Sequence, residues 1–136
     1  MYLVDTDHCI GVLRGKHPVV ERLSNVPGYL LHLAFVTVGE LMDGVHSAPT
    51  EDSRSNHRAT AEFVSGFDIL YPTFSDTLRW AELRAASRKQ GLTGPDNDLW
   101  IAALAVDRQL TVLTSNAKNF HLIPQVAFEN RMEIRE

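Results

Sequence analysis

Tyr2-Leu3-Val4-Asp5-Thr6-Asp7 stands almost at the start of the chain, and it fixes how the rest folds. Tyr2 to Val4 is a short apolar run that reads as a buried strand. A carboxylate that directly ends such a strand is costly unless it has a partner, so Asp5 marks a β–α junction with something to hold. Outward from it, Leu31 to Val36, Phe67 to Tyr71, Thr111 to Thr114 and Val126 to Phe128 supply four further strands. Apolar residues at helical spacing lie between them. Ile10 to Leu13 form a turn of helix stopped by Gly15, and Val19, Val20 and Leu23 follow Pro18 at a first helical turn. Thr37-Val-Gly-Glu40 has the spacing of a capping box and opens a helix through Val45. Ser47 to Ser55, with Pro49, reads as a polar loop before a helix over His57 to Val64. Leu78 to Ala86 belong to a longer helix ending near Gly91, and Leu99 to Val106 to an apolar one behind Pro95-Asp96-Asn97-Asp98. Short strands alternating with helices predict an α/β fold, a parallel sheet covered on both faces.

The 136 residues suit one domain, 1–136, with 44% apolar and 22% charged residues excluding wholesale disorder. No apolar run approaches the ~20 residues that span a bilayer, and the first residues carry no basic and apolar leader. The single Cys9 excludes an internal disulfide, so a cytoplasmic protein is expected. With 13 Lys and Arg against 17 Asp and Glu, the net charge of −4 is not that of a passive nucleic-acid binder. It still permits a nucleic-acid enzyme that carries its positive charge as bound metal.

In a parallel sheet the strand-to-helix junctions share one edge, where ligand sites form. Asp5, Glu40, Asp98 with Asp96, and Asn116 all fall at such junctions. Singly, each acid has a structural explanation. Glu40 closes a capping box with Thr37, Asp96 and Asp98 are an N-cap and a first-turn charge, and Asp7 caps the first helix. Together they repel one another unless a cation sits among them, and no Lys or Arg neighbours them in sequence to supply it. A set of Asp, Glu and Asn oxygens suits Mg²⁺ or Mn²⁺. Such an ion neutralises phosphoryl oxygens and activates water.

Four segments carry a resemblance: Tyr2 to Asp7, Thr37-Val-Gly-Glu40-Leu41, Pro95-Asp96-Asn97-Asp98-Leu99-Trp100-Ile101-Ala102-Ala103, and Val112-Leu113-Thr114-Ser115-Asn116-Ala117-Lys118-Asn119-Phe120. In order and spacing they resemble PIN-domain proteins, and nearly the whole chain is similar to the VapC-type ribonuclease toxins of toxin–antitoxin pairs. The resemblance implies a magnesium- or manganese-dependent endoribonuclease with a parallel sheet of about five strands, usually a homodimer. It implies an RNA substrate and a VapB-type antitoxin, whose C-terminal segment blocks the acidic crevice. On this pattern Asp5 and Asp98 hold the metal, and Glu40 binds a second ion or orients a water. Thr114 is the usual hydroxyl after the fourth strand. Asn116 falls where many members place a fourth acid, a loss for which Asp96 could compensate. Arg54, Arg58, Arg79, Arg84, Arg88 and Lys89 are candidates to flank the crevice.

Other signals lead less far. Asp5-Thr6-Asp7 also resembles the start of haloacid-dehalogenase-type phosphatases, but only Lys118 suits their late lysine, and Glu40 would have no role. The histidines lack zinc-site spacing. His8 and Cys9, adjacent on a helix, point about 100° apart and form no dyad. Trp80 and Trp100 read as core or interface residues. A non-catalytic PIN-fold module that binds RNA or protein remains the alternative of a different class, though it has no use for clustered carboxylates.

Overall fold

The computed structural model describes residues 1–48, 50–92 and 96–132, the side chains of Thr50 and Asp52 excepted. Pro49 and Pro95 lie outside the described residues. Five strands, β1 (Tyr2–Val4), β2 (Leu31–Ala34), β3 (Asp68–Leu70), β4 (Thr111–Leu113) and β5 (Phe128–Glu129), form one sheet in the order β3-β2-β1-β4-β5. Every pairing is parallel. The described helices are α1 (Thr6–Leu13), α2 (His17–Ser24), α3 (Phe35–Ser47), α4 (Thr50–Ser65), α5 (Phe74–Lys89), α6 (Asp96–Arg108) and α7 (Ala117–His121). The expected α/β architecture is what forms.

Strand alternation sends neighbouring side chains to opposite faces of the sheet. Leu3, Ala34 and Val112 join a core with α5 and α6 residues such as Leu83, Ile101 and Leu104. Val4, Leu33 and Leu113 join one with Cys9, Val19, Leu23 and Leu41 from α1, α2 and α3. Ile101 through Ala105 are buried, so α6 is apolar nearly all round and spans the middle of its layer. Each fully buried Leu or Ile contributes about 1.5–3 kcal/mol. Trp80 on α5 stacks on Trp100 on α6 with centroids 5.2 Å apart, and Phe35 meets Trp100 edge-on at 5.9 Å. Both tryptophans are thus packing residues.

Gly15 and Gly91 end α1 and α5 as the sequence predicts. Each has positive φ (68° and 71°), a conformation that suits glycine. Lys16 N–H then reaches the Gly11 carbonyl and Leu92 N–H the Ser87 carbonyl, each at 2.9 Å, closing the last turn.

Several boundaries differ from expectation. β2 stops at Ala34, and α3 begins at Phe35 with no loop, so Ala34 is its N-cap. Thr37 therefore lies inside the helix, buried with its hydroxyl unpartnered, and makes no capping box with Glu40. The polar stretch expected to be loop as far as Ser55 is helical from Thr50, since α4 is mostly exposed and needs no apolar stripe along its first turns. β5 pairs through Phe128 and Glu129 rather than starting at Val126.

Candidate active site

The strand order reverses direction between β1 and β4, and a crevice opens there at the carboxyl ends of the strands. Asp5 and Thr114 flank that point. Asp5 N–H donates to the Leu113 carbonyl at 2.9 Å, carrying the ladder up to the rim. Asp5, not Asp7, is the N-cap of α1: its Oδ1 accepts the Thr6 amide at 2.8 Å. Its Oδ2 accepts the Thr114 hydroxyl at 2.8 Å. That hydroxyl in turn accepts the Asn116 amide at 3.0 Å. Burial pushes the Asp5 pKa up to about 6, the Thr114 hydrogen bond opposes the rise, and the charges of Asp7 and Asp98 add to it.

The Thr6 hydroxyl donates to Glu40 Oε1 at 3.1 Å and ties the first turn of α1 to α3. Burial raises the Glu40 pKa against that bond, and repulsion from Asp98 raises it further. Asp98, in the first turn of α6, accepts the Asn119 side-chain amide at 3.1 Å. Its pKa too is raised, by burial and then by Asp7 against the Asn119 bond. Asp5, Asp7, Glu40 and Asp98 therefore act on one another through charge. Among the described residues no Lys or Arg forms an ion pair with any of them.

Asp96 stands apart from this set. It pairs with Arg84 of α5 at 3.2 Å and is largely exposed, so it is no substitute for a fourth acid in the crevice. Arg79 is likewise occupied, by Glu82 and Asp107. Arg54 and Arg58 lie along exposed α4. Asn116 contributes through its backbone amide.

Sequence reasoning missed the partners of the acids. Thr6 bridges Asp5 and Glu40, and Asn119 orients Asp98. Asp7 Oδ2 accepts the Ser115 amide at 2.8 Å and also the Ser115 hydroxyl. Thr6, Ser115 and Asn119 all stand in the quoted segments, and their short polar side chains beside the acids were the available signal.

The donor set is all oxygen: three carboxylates of Asp5, Glu40 and Asp98, with the hydroxyls of Thr6 and Thr114 beside them. That chemistry fits a hard divalent cation. Mg²⁺ is usually held by one or two carboxylates, with waters and substrate phosphates completing its shell. Among the described residues no three His, Cys, Asp or Glu stand close enough to hold one ion jointly, so the fit is of this sparse kind.

Comparison with known proteins agrees with the geometry. The family model for the PIN domain matches residues 2–126. Ribonuclease VapC1 of Haemophilus influenzae (strain R2866) is 26% identical over 132 residues, 96% of this chain and 97% of that relative. The structure of VapBC-1 from nontypeable Haemophilus influenzae superposes with a TM-score of 0.83 at 27% identity, covering 97% of this chain and 98% of that one. VapBC-5 from Mycobacterium tuberculosis, a member of the VapBC family of toxin–antitoxin systems, gives a TM-score of 0.71 at 30% identity over 94% of each chain. The all-parallel sheet, the acids at its reversal point and a match along nearly its full length show that the chain belongs to the PIN-domain family.

Proposed function

We propose that this chain is a metal-dependent endoribonuclease, the toxin of a VapBC-type toxin–antitoxin pair. One observation carries the reading: a buried Asp5 at the sheet's reversal point shares its crevice with Glu40 and Asp98, and among the described residues no Lys or Arg forms an ion pair with them. A protein that only folds or only binds RNA gains nothing from that repulsion. The relatives support the class, being a ribonuclease and a member of a toxin–antitoxin family.

Asp5 and Asp98 would hold Mg²⁺ or Mn²⁺, which when bound neutralises phosphoryl oxygens and lowers the pKa of a water. The chain's own residues do the positioning. The Thr6 amide and the Thr114 hydroxyl fix the two oxygens of Asp5, so its carboxylate has one orientation. Asn119 sets Asp98 in the same way. Glu40 is tied through Oε1 to Thr6, which leaves Oε2 to orient the water that attacks the phosphodiester in line. Cleavage then leaves 5′-phosphate and 3′-hydroxyl ends. The remaining parts of the proposal are an RNA substrate, a VapB-type antitoxin that covers the crevice, a homodimer, one nuclease domain over residues 1–136, and a cytoplasmic location where RNA is met.

The test is cleavage of purified RNA by the antitoxin-free protein. Mg²⁺ or Mn²⁺ should be required, and Asp5→Asn and Asp98→Asn should each lose roughly 10²–10³-fold in rate, the several kcal/mol that metal-assisted stabilisation supplies. Full activity in chelator would overturn the reading.

A further inference from the structure

His8 is fully buried in α1, three residues past Asp5, and the proposed chemistry gives it no task. Both ring nitrogens are nevertheless committed. Nε2 faces the backbone N–H of Arg131 at 3.0 Å, and Nδ1 faces Asp7 Oδ1 at 2.7 Å. A backbone N–H only donates, so Nε2 must accept, and the ring proton must sit on Nδ1 and point at Asp7. A proton on Nε2 would set two donors against each other in a site without water access.

Asp7 passes the constraint on. Oδ1 takes the imidazole N–H, while Oδ2 takes the amide and hydroxyl of Ser115, with the Thr114 hydroxyl at 3.5 Å. Partial burial would raise the Asp7 pKa, but the bonds from His8 and Ser115 outweigh it and hold the carboxyl below its usual value. Asp7 is thus an ionised group with both oxygens spoken for. It clamps the 114–115 turn whose hydroxyl orients Asp5, and its charge bears on Asp5 and Asp98.

Arg131 is itself held in place. Its carbonyl accepts Arg22 Nη1 at 2.8 Å, its guanidinium donates to the Tyr2 hydroxyl at 3.0 Å, and that group lies 4.8 Å from the Tyr2 ring centroid. Residues 130–132, just past β5, are therefore fastened to α2 and β1, and the Arg131 amide meets the crevice through His8.

We propose that His8 is a positioning residue for the acidic crevice: fixed in its Nδ1–H form by the Arg131 amide, it orients Asp7, and Asp7 sets the 114–115 turn against Asp5. The C-terminal segment then belongs to the cleavage machinery. This rests on the nuclease reading, yet it makes a claim that is independent of activity.

That claim is read first, by imidazole ¹⁵N–¹H correlation NMR on the metal-free full chain. His8 should show a proton on Nδ1 and none on Nε2, and the reverse pattern overturns the proposal. Arg131→Pro removes the amide donor, whereas Arg131→Ala keeps it and loses only the side chain. The Pro variant should lose the single tautomer and the Ala variant retain it; retention in both refutes the role of the amide. Kinetics then separate positioning from packing. His8→Asn can still donate to Asp7 from the Nδ1 position, whereas His8→Gln places its polar end where Nε2 was. With both folded, the Gln variant should lose about 10–100-fold in kcat at unchanged KM, the loss expected when an outer-shell partner goes, and the Asn variant no more than about threefold. Equal kcat in the two overturns the proposal, and if neither folds the Arg131 pair decides. Wild-type protein that cuts no RNA refutes the nuclease reading instead, and the tautomer still answers for His8.

Discussion

Asp5 keeps its proton in the folded chain to about pH 6, because burial disfavours its charge more than the Thr114 bond relieves it. An aspartate in the unfolded chain loses its proton near 3.9. Between those values the unfolded state binds fewer protons than the folded one, so stability falls as pH rises through this window and stays low above it. At 1.4 kcal/mol per pH unit, the ionised carboxylate costs the metal-free protein about 3 kcal/mol. Asp5→Asn removes that cost while its carbonyl oxygen still accepts the Thr6 amide. In chelator at pH 7.5 the variant should therefore unfold later in urea than wild type, by up to about 3 kcal/mol, although its cleavage with metal is expected to be slowed. The difference should shrink to about 1 kcal/mol at pH 4.5, where wild-type Asp5 is protonated in the folded state. Coincident urea curves at pH 7.5 would show that burial imposes no such penalty.

The α5–α6 pair depends on a second buried carboxylate that is balanced in the opposite way. Asp76 is inaccessible to solvent, yet Arg108 donates to it at 2.8 Å and Thr73 N–H at 2.8 Å, so those bonds overcome its burial and hold its pKa down at about 2. Arg108 also reaches the Tyr71 carbonyl at 2.8 Å, joining the end of α6 to the entry of α5. Arg108→Ala strands a buried charge and should destabilise the protein by about 3–5 kcal/mol in urea unfolding. Adding Asp76→Asn to that variant should recover part of the loss, and no recovery would mean that the Arg side chain acts through packing alone. This element also shows that such spacing does not by itself decide a cap. Thr73 and Asp76 have the same T-x-x-acid spacing as Thr37 and Glu40, but only the first pair caps a helix. Thr37 fails because the chain turns helical straight out of β2, at Phe35, which puts Thr37 inside the helix rather than before it. The start of α4 was hidden for a related reason, since Glu51 to Asn56 present no apolar period to read.

At the scale of the whole molecule, βα alternation was enough to foresee a parallel sheet and to put Asp5, Glu40 and Asp98 on one rim. Asp96 could not be separated from Asp98 that way, because two acids within one turn differ only in the partner each meets, and Arg84 reaches Asp96 from α5 only once the two helices pack. The same rim makes stability depend on divalent ions. With a net charge of −4 and four acids acting on one another, an ion that binds only the folded state stabilises it by mass action. Mn²⁺ at one hundred times its dissociation constant should add about 2.7 kcal/mol to the unfolding free energy relative to chelator. The gain should be smaller at pH 5 than at pH 7.5, because protonated Asp5 must release its proton to become a ligand. Asp98→Asn should lose most of the gain at both pH values, while Asp96→Asn, outside the crevice, should keep it. Thermal melts of the three proteins with Mn²⁺ or chelator decide the matter: if the wild-type curves superpose, the crevice does not take up the ion, and its acids must be relieved by some other charge.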